Sequence, residues 1–194
     1  GDWSSDVCSS DLEKDRQNIF RSPLLNASPV VDTTITDINK VLSIITYQKA
    51  SWVLHMLRRE VGDEAFQKGV RSYYSKFRDR NALTSDLKRE LEQAAGRELG
   101  WFFDQWVYRA GAPLLEARWT YDNKRKEVKI RIRQTNAQLY RINLDIGIGN
   151  RLESVVLKDK ESILTFKSDE KPAEITLDPG ISLLFQAKLE YGKL

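Results

Sequence analysis

The sequence predicts an α+β chain in which a set of antiparallel helices precedes a small antiparallel β-sandwich. Three observations carry this reading. Apolar residues recur at helical spacing between Thr46 and Trp106, the period falls to two after Pro113, and Gly62, Gly96, Gly111 and Pro113 mark the changes.

The stretch Arg21 to Asn39 holds Pro23 and Pro29 among threonines and valines, which argues for extended or irregular chain. A helix begins near Thr46. Tyr47, Ala50, Ser51, Leu54 and Leu57 give it one apolar-to-small face, and Trp52, Val53 and Met56 fill the adjacent one. A helix apolar on so much of its girth is expected to be buried. Gly62 stops it, and a second helix follows from Asp63 with Phe66, Val70, Tyr73, Tyr74 and Phe77 on one face. Asp63 and Glu64 suit the positive end of its dipole. Asn81 to Leu83 make a turn, with Thr84 or Ser85 as N-cap. A third helix carries Leu87, Leu91, Ala94 and Ala95, and a fourth carries Leu99, Phe102, Phe103 and Trp106. The short connections imply an antiparallel bundle. At this spacing Trp101, Phe102, Phe103 and Trp106 read as core rather than as a ligand platform.

Beyond Pro113, Leu115, Ala117, Trp119 and Tyr121 alternate with polar residues. Val128, Ile130 and Ile132 do the same, as do Ile142, Leu144, Ile146 and Ile148. Shorter strands are expected at 154–157, 163–166 and 174–177, which completes a sandwich. The stripe of Lys129, Arg131 and Arg133 then falls on its solvated face.

Composition narrows the function classes. With 194 residues, 41% of them hydrophobic, and five tryptophans, the chain can bury a real core. The net charge of +3 has no basic block behind it, so nucleic acid is not an expected partner. Apolar runs such as Val107 to Leu115, broken by Arg109, are too short to cross a bilayer. The single Cys8 excludes an internal disulfide and a cysteine-rich metal site. The segment DWSSDVCSSDL, residues 2–12, is rich in serine and aspartate and lacks a helical or strand period. It resembles a translated sequencing adapter, so residues 1–12 are expected to be non-native and Glu13 to be interior to a longer protein.

Local wording is more specific than pattern. The run TYQKASWVLHMLRREVGDEAFQKGVRSYYSKF, Thr46 to Phe77, resembles the segment that follows the zinc site in aminopeptidase N-type metallopeptidases, the gluzincins. LGWFFDQWVYRAGAP, Leu99 to Pro113, resembles that family's aromatic helix and the turn leaving it. LDPG, Leu177 to Gly180, resembles part of its small β domain. The likeness covers roughly Ser28 to Gly180, with Ala50 where the family often has glycine.

The resemblance implies a thermolysin-like catalytic domain, whose C-terminal helical portion would be residues 13–112, followed by a β-sandwich over 113–194. It implies a zinc-dependent aminopeptidase that removes N-terminal residues from peptides. In the family an H-E-x-x-H helix and a further glutamate hold the zinc. This chain offers one histidine, His55, which is not in that motif, so the zinc is expected to belong to the full-length parent and none to bind here. Tyr47 matches the family's catalytic tyrosine, at the head of a Y-x-K motif. Alone, the chain is expected to be inactive, and surface normally covered by the missing portion could drive self-association.

From the residues themselves, Lys49 reads as a surface lysine or a structural ion pair, and His55 as a buried or half-buried helix histidine with a hydrogen-bonded partner. Two rival functions are a non-catalytic relative that binds peptides or a partner, and an independent adhesion-like or scaffold module built on the sandwich.

Overall fold

A computed structural model describes residues 6–193, with the side chains of residues 6–10 and of Ile38 left out of the description. The elements run α1 (Asp6–Arg21), α2 (Leu24–Ala27), a 3-10 turn (Ile38–Lys40) and a π-turn (Ile45–Lys49). Next come α3 (Ala50–Val61), α4 (Asp63–Phe77), α5 (Thr84–Ala95) and α6 (Gly100–Trp106). Seven strands complete the chain: β1 (Leu114–Asp122), β2 (Glu127–Gln134), β3 (Ile142–Ile148), β4 (Arg151–Leu157), β5 (Glu161–Lys167), β6 (Ile175–Leu177) and β7 (Gln186–Tyr191). Helices followed by sheets give the α+β class that the change of period predicts. Ser10–Gly111 forms one compact unit, and Ala112–Leu194 belongs to a second. Among the described residues no helix is long and apolar enough to cross a membrane.

The adapter-like segment lies partly outside the described residues. From Asp6 onward its backbone is helical and continues into α1, although the sequence shows no helical period before Glu13. A helix anchored at one end extends cheaply, because nucleation is the costly step, and Ile19 supplies that anchor by complete burial. The reading of Arg21 to Asn39 as irregular misses α2, whose Leu25 is buried.

The helical unit departs from its sequence pattern in two places. In α3 only Trp52, Val53, Met56 and Leu57 are buried, and the face bearing Ser51 and Leu54 is exposed. The helix is therefore not enclosed all round in this chain. In α4 the predicted face is only partly covered: Phe66, Tyr73 and Phe77 are half-buried, Val70 and Tyr74 are exposed, and Gly69 is the buried residue. A Cβ added at Gly69 would lie 2.8 Å from Leu91 Cδ2 and 3.1 Å from Leu91 Cα, so α4 and α5 approach closely there. Beside that contact the buried Glu90 accepts hydrogen bonds from Ser72 Oγ at 2.7 Å and Lys76 Nζ at 2.6 Å. These bonds hold the Glu90 carboxyl below its usual range. The N-cap of α5 is Leu83, one residue before Thr84, because the Asp86 carboxylate reaches back to accept the Leu83 N–H at 2.9 Å. Phe102, Phe103 and Trp106 of α6 are buried, with Phe102 and Phe103 rings edge-on at 6.2 Å between centroids.

The second unit is a pair of sheets, ordered β5-β2-β1-β7 and β4-β3-β6. Alternation places Leu115, Ala117 and Trp119 of β1 inside with Val128, Ile130 and Ile132 of β2. Ile142, Leu144, Ile146 and Ile148 fill the other sheet's inner side. The predicted strands are present, with β7 in addition, and β7 pairs with β1 in parallel while every other pairing is antiparallel. Lys129 and Arg131 are only half-buried and Arg133 is exposed, on the outward positions of β2.

Two buried polar side chains stitch the loops of this unit. Gln134 accepts the Tyr140 N–H at 2.8 Å and donates to the Tyr140 carbonyl at 2.8 Å, imitating a strand neighbour where none pairs. Asp178, at φ +53°, accepts the N–H groups of Ser182 and Leu183 within the LDPG loop.

The α4–α5 crossing yields a direct prediction. Gly69→Ala should lower stability by about 1–3 kcal/mol, because backbone atoms of α5 as well as a flexible side chain oppose the new methyl. This should appear as a reduced denaturation midpoint despite the better helix propensity of alanine.

Candidate functional site

Tyr47 sits on a turn that its neighbours shape locally. Ser43 and Thr46 bond each other's backbone: the Ser43 N–H donates to Thr46 Oγ1 at 2.9 Å, and Ser43 Oγ accepts the Thr46 N–H at 3.4 Å. The five residues Ile45–Lys49 form one π-turn, and the Ala50 N–H reaches back to the Ile45 carbonyl. Ser51 Oγ donates to the Tyr47 carbonyl at 2.9 Å, a back-bond that keeps the widened turn's oxygen satisfied. Single π-turns at the head of an α-helix are frequent at functional sites.

Burial alternates sharply along this turn. Ile45 and Lys49 are completely buried, while Tyr47 between them is 61% exposed. Among the described residues the phenol has no hydrogen-bond partner, so its O–H is available to donate to a group that approaches from solvent. Gln48 Oε1 and Trp52 Nε1, four positions apart, are buried polar atoms that also find no partner among the described residues.

Lys49 departs from the expectation of a surface lysine or an ion pair. It is fully buried, and among the described residues no carboxylate pairs with it. Its Nζ donates to the Arg109 carbonyl at 3.3 Å, at the long end of such bonds. Burial pushes the amine down to about 8, and the Arg109 charge acts in the same direction. The sequence pattern misses this because a lysine at a helix start is ordinarily read as a surface group. The acceptor, 60 residues further along, gives no local signal.

The receiving segment ties the unit together. The Val31 N–H donates to the Val107 carbonyl at 3.1 Å, and the Gly111 N–H donates to the Leu25 carbonyl at 2.6 Å. Residues 107–111 thus join the stretch after α2, the end of α2 and the Tyr47 turn to the end of α6.

His55 is half-buried, with its ring edge-on to Trp52 at 5.7 Å between centroids. Among the described residues no group of three or more histidine, cysteine, aspartate or glutamate side chains is placed to hold a metal ion. A catalytic zinc needs three protein ligands, so the residues described here do not fit a zinc site.

The buried amine has a measurable consequence for stability. A lysine whose folded pKa is depressed binds fewer protons folded than unfolded, so stability rises with pH between the two values. For Lys49 the window runs from about 8 to the ordinary 10.5. Across it the unfolding free energy should rise by about 3 kcal/mol. Lys49→Met should lose this rise relative to the parent chain in urea titrations at pH 7.5, 9 and 10.5. Parallel curves for the two proteins would show that Lys49 is not a buried, depressed amine.

The geometry can be set beside known proteins. Residues 5–106 match the profile of the Peptidase family M1 domain. Aminopeptidase N of Lactococcus lactis subsp. lactis is 41% identical over 75 residues, which is 39% of this chain and 9% of that protein. The alanine/arginine aminopeptidase of Saccharomyces cerevisiae is 32% identical over 145 residues, 69% of this chain and 16% of the yeast protein. Among solved structures, Legionella pneumophila aminopeptidase A in complex with aspartic acid is similar with a TM-score of 0.73. That likeness covers 95% of this chain and 23% of the Legionella chain at 16% identity, and it shows the fold. The chain therefore spans less than a quarter of each of these relatives. Matched over more than half its length by the family's own domain, the chain belongs to peptidase family M1.

Proposed function

We propose that the chain is part of a zinc-dependent aminopeptidase that removes N-terminal residues from peptides, in which Tyr47 stabilises the transition state. The observation that carries this reading is the exposed phenol on a π-turn, at the head of the Y-x-K motif and inside the segment the family profile matches. Peptide hydrolysis places negative charge on the scissile carbonyl oxygen. A neutral donor fixed at hydrogen-bond distance from that oxygen is worth most when the charge develops. A phenol suits the task, being uncharged at neutral pH and held on a stiff ring.

The zinc ligands and the group that binds the substrate's free amine would come from other parts of the longer protein. This is supported by the small share of each relative that the chain spans. The chain by itself is then one wall of a catalytic site, without activity.

Two outcomes follow. In the full-length protein, Tyr47→Phe should cut turnover of an alanyl chromogenic substrate by ~10²–10³-fold while leaving KM little changed. Unchanged turnover would remove the assignment and leave a peptide-binding relative. The isolated chain exposes Leu42, Tyr47 and Leu54 in its helical unit, so it should self-associate. Light scattering that shows a clean monomer at high concentration would count against this surface being normally covered.

A further inference from the structure

Lys49 is a buried titratable group that the proposed chemistry does not use, and it lies two residues from Tyr47. We propose that Lys49 is the positioning residue for Tyr47: its buried amine, seated on the Arg109 carbonyl, sets the rotation of the π-turn that projects the phenol into solvent. This rests on Tyr47 being the oxyanion donor.

The geometry runs as a chain of constraints. Ile45 and Lys49 flank Tyr47 at two residues on either side, and both are fully buried. Drawing those two positions inward leaves the residue between them on the outer side of the turn. Ile45 contributes apolar burial, which is non-directional and tolerates small rotations. The Lys49 amine is directional, and among the described residues its acceptor is one carbonyl on a distant segment. That acceptor is itself fixed, because backbone hydrogen bonds hold Val107 and Gly111 on either side of it. Of the two anchors, the amine therefore defines where the turn comes to rest.

Energetics points the same way. An amine in an apolar interior is costly, and an apolar side chain of similar volume would bury more favourably. Nothing nearby offsets the cost: the charged group facing Lys49 is the Arg109 guanidinium, and among the described residues no carboxylate faces it. A costly directional contact beneath an exposed donor makes sense if the donor's position matters. A displacement of about 1 Å in such a group can lower a rate by ~10²-fold.

The test is a double-mutant cycle in the full-length protein that contains this chain, reading kcat and KM on an alanyl chromogenic substrate. Lys49→Met should retain the native circular dichroism, lower kcat by ~10–100-fold and leave KM within about twofold. Added to Tyr47→Phe, it should cost nothing further, because it acts through the phenol. Losses that multiply would overturn the proposal, as would unchanged turnover in Lys49→Met alongside an impaired Tyr47→Phe. An unimpaired Tyr47→Phe would instead sink the donor reading, and the positioning role with it. If Lys49→Met does not fold, the pH profile decides. Turnover of the parent should fall as the amine loses its proton near pH 8, and that step should be missing from Tyr47→Phe. A parent profile flat through this region, or the same step in both proteins, would overturn the proposal.

Discussion

The helical unit depends on one short segment, residues 107–111, that has run out of helix and offers its backbone to the rest of the unit. Val107 and Arg109 supply carbonyls, and Gly111 supplies an N–H. Partners come from residues far apart in the chain: Leu25, Val31 and Lys49. Backbone groups leaving a helix need partners wherever they are buried. Here that need is met by contacts that close long loops, so one requirement of the α6 end also fixes the start of α3. The arrangement explains why a lysine is tolerated in the interior. It answers a carbonyl that few other side chains could reach from the first turn of α3.

The parts of the fold that were legible in the sequence are those where burial follows a simple period. The inner residues of β1, β2 and most of β3 alternate, so that strand and face are legible in the sequence. β7 was not legible, because its residues are largely exposed and its place is set by parallel pairing with β1 from a distant part of the chain. The α4–α5 contact is not legible for a different reason. Its central residue is Gly69, and close backbone approach leaves no mark in a hydrophobic pattern. The apolar spacing on α4 picks out Phe66, Val70, Tyr73, Tyr74 and Phe77, which are half-buried or exposed, and passes over the buried Gly69 and the buried Glu90 of α5.

The candidate site shows the same division. Tyr47 could be singled out only from the wording around it, since an aromatic at a helix start is otherwise an ordinary core residue. Its exposure and the π-turn beneath it come from tertiary structure, through Ile45 and Lys49 being drawn inside. Lys49 was misjudged because residue type is a strong guide to exposure, and lysine is among the residues least often buried. A charged side chain in such a place breaks the local rule, and breaches of this kind concentrate where function or specificity outweighs stability.

The exposed phenol and the buried amine are two consequences of a single rotational setting. A regular α-helix through Ile45 to Ser51 would advance each residue by the ordinary angle, and inward positions would follow the usual three- and four-residue spacing. Ile45 and Lys49 keep that four-residue spacing across the widened turn, so both face inward and Tyr47, midway between them, faces out. The widened turn is held near its start by the Ser43 N–H bond to Thr46 Oγ1 and beyond its end by the Ser51 back-bond. The turn is thus specified by short polar side chains in its own sequence and then locked by one distant carbonyl. A turn built this way needs no large interface to hold its exposed phenol in place.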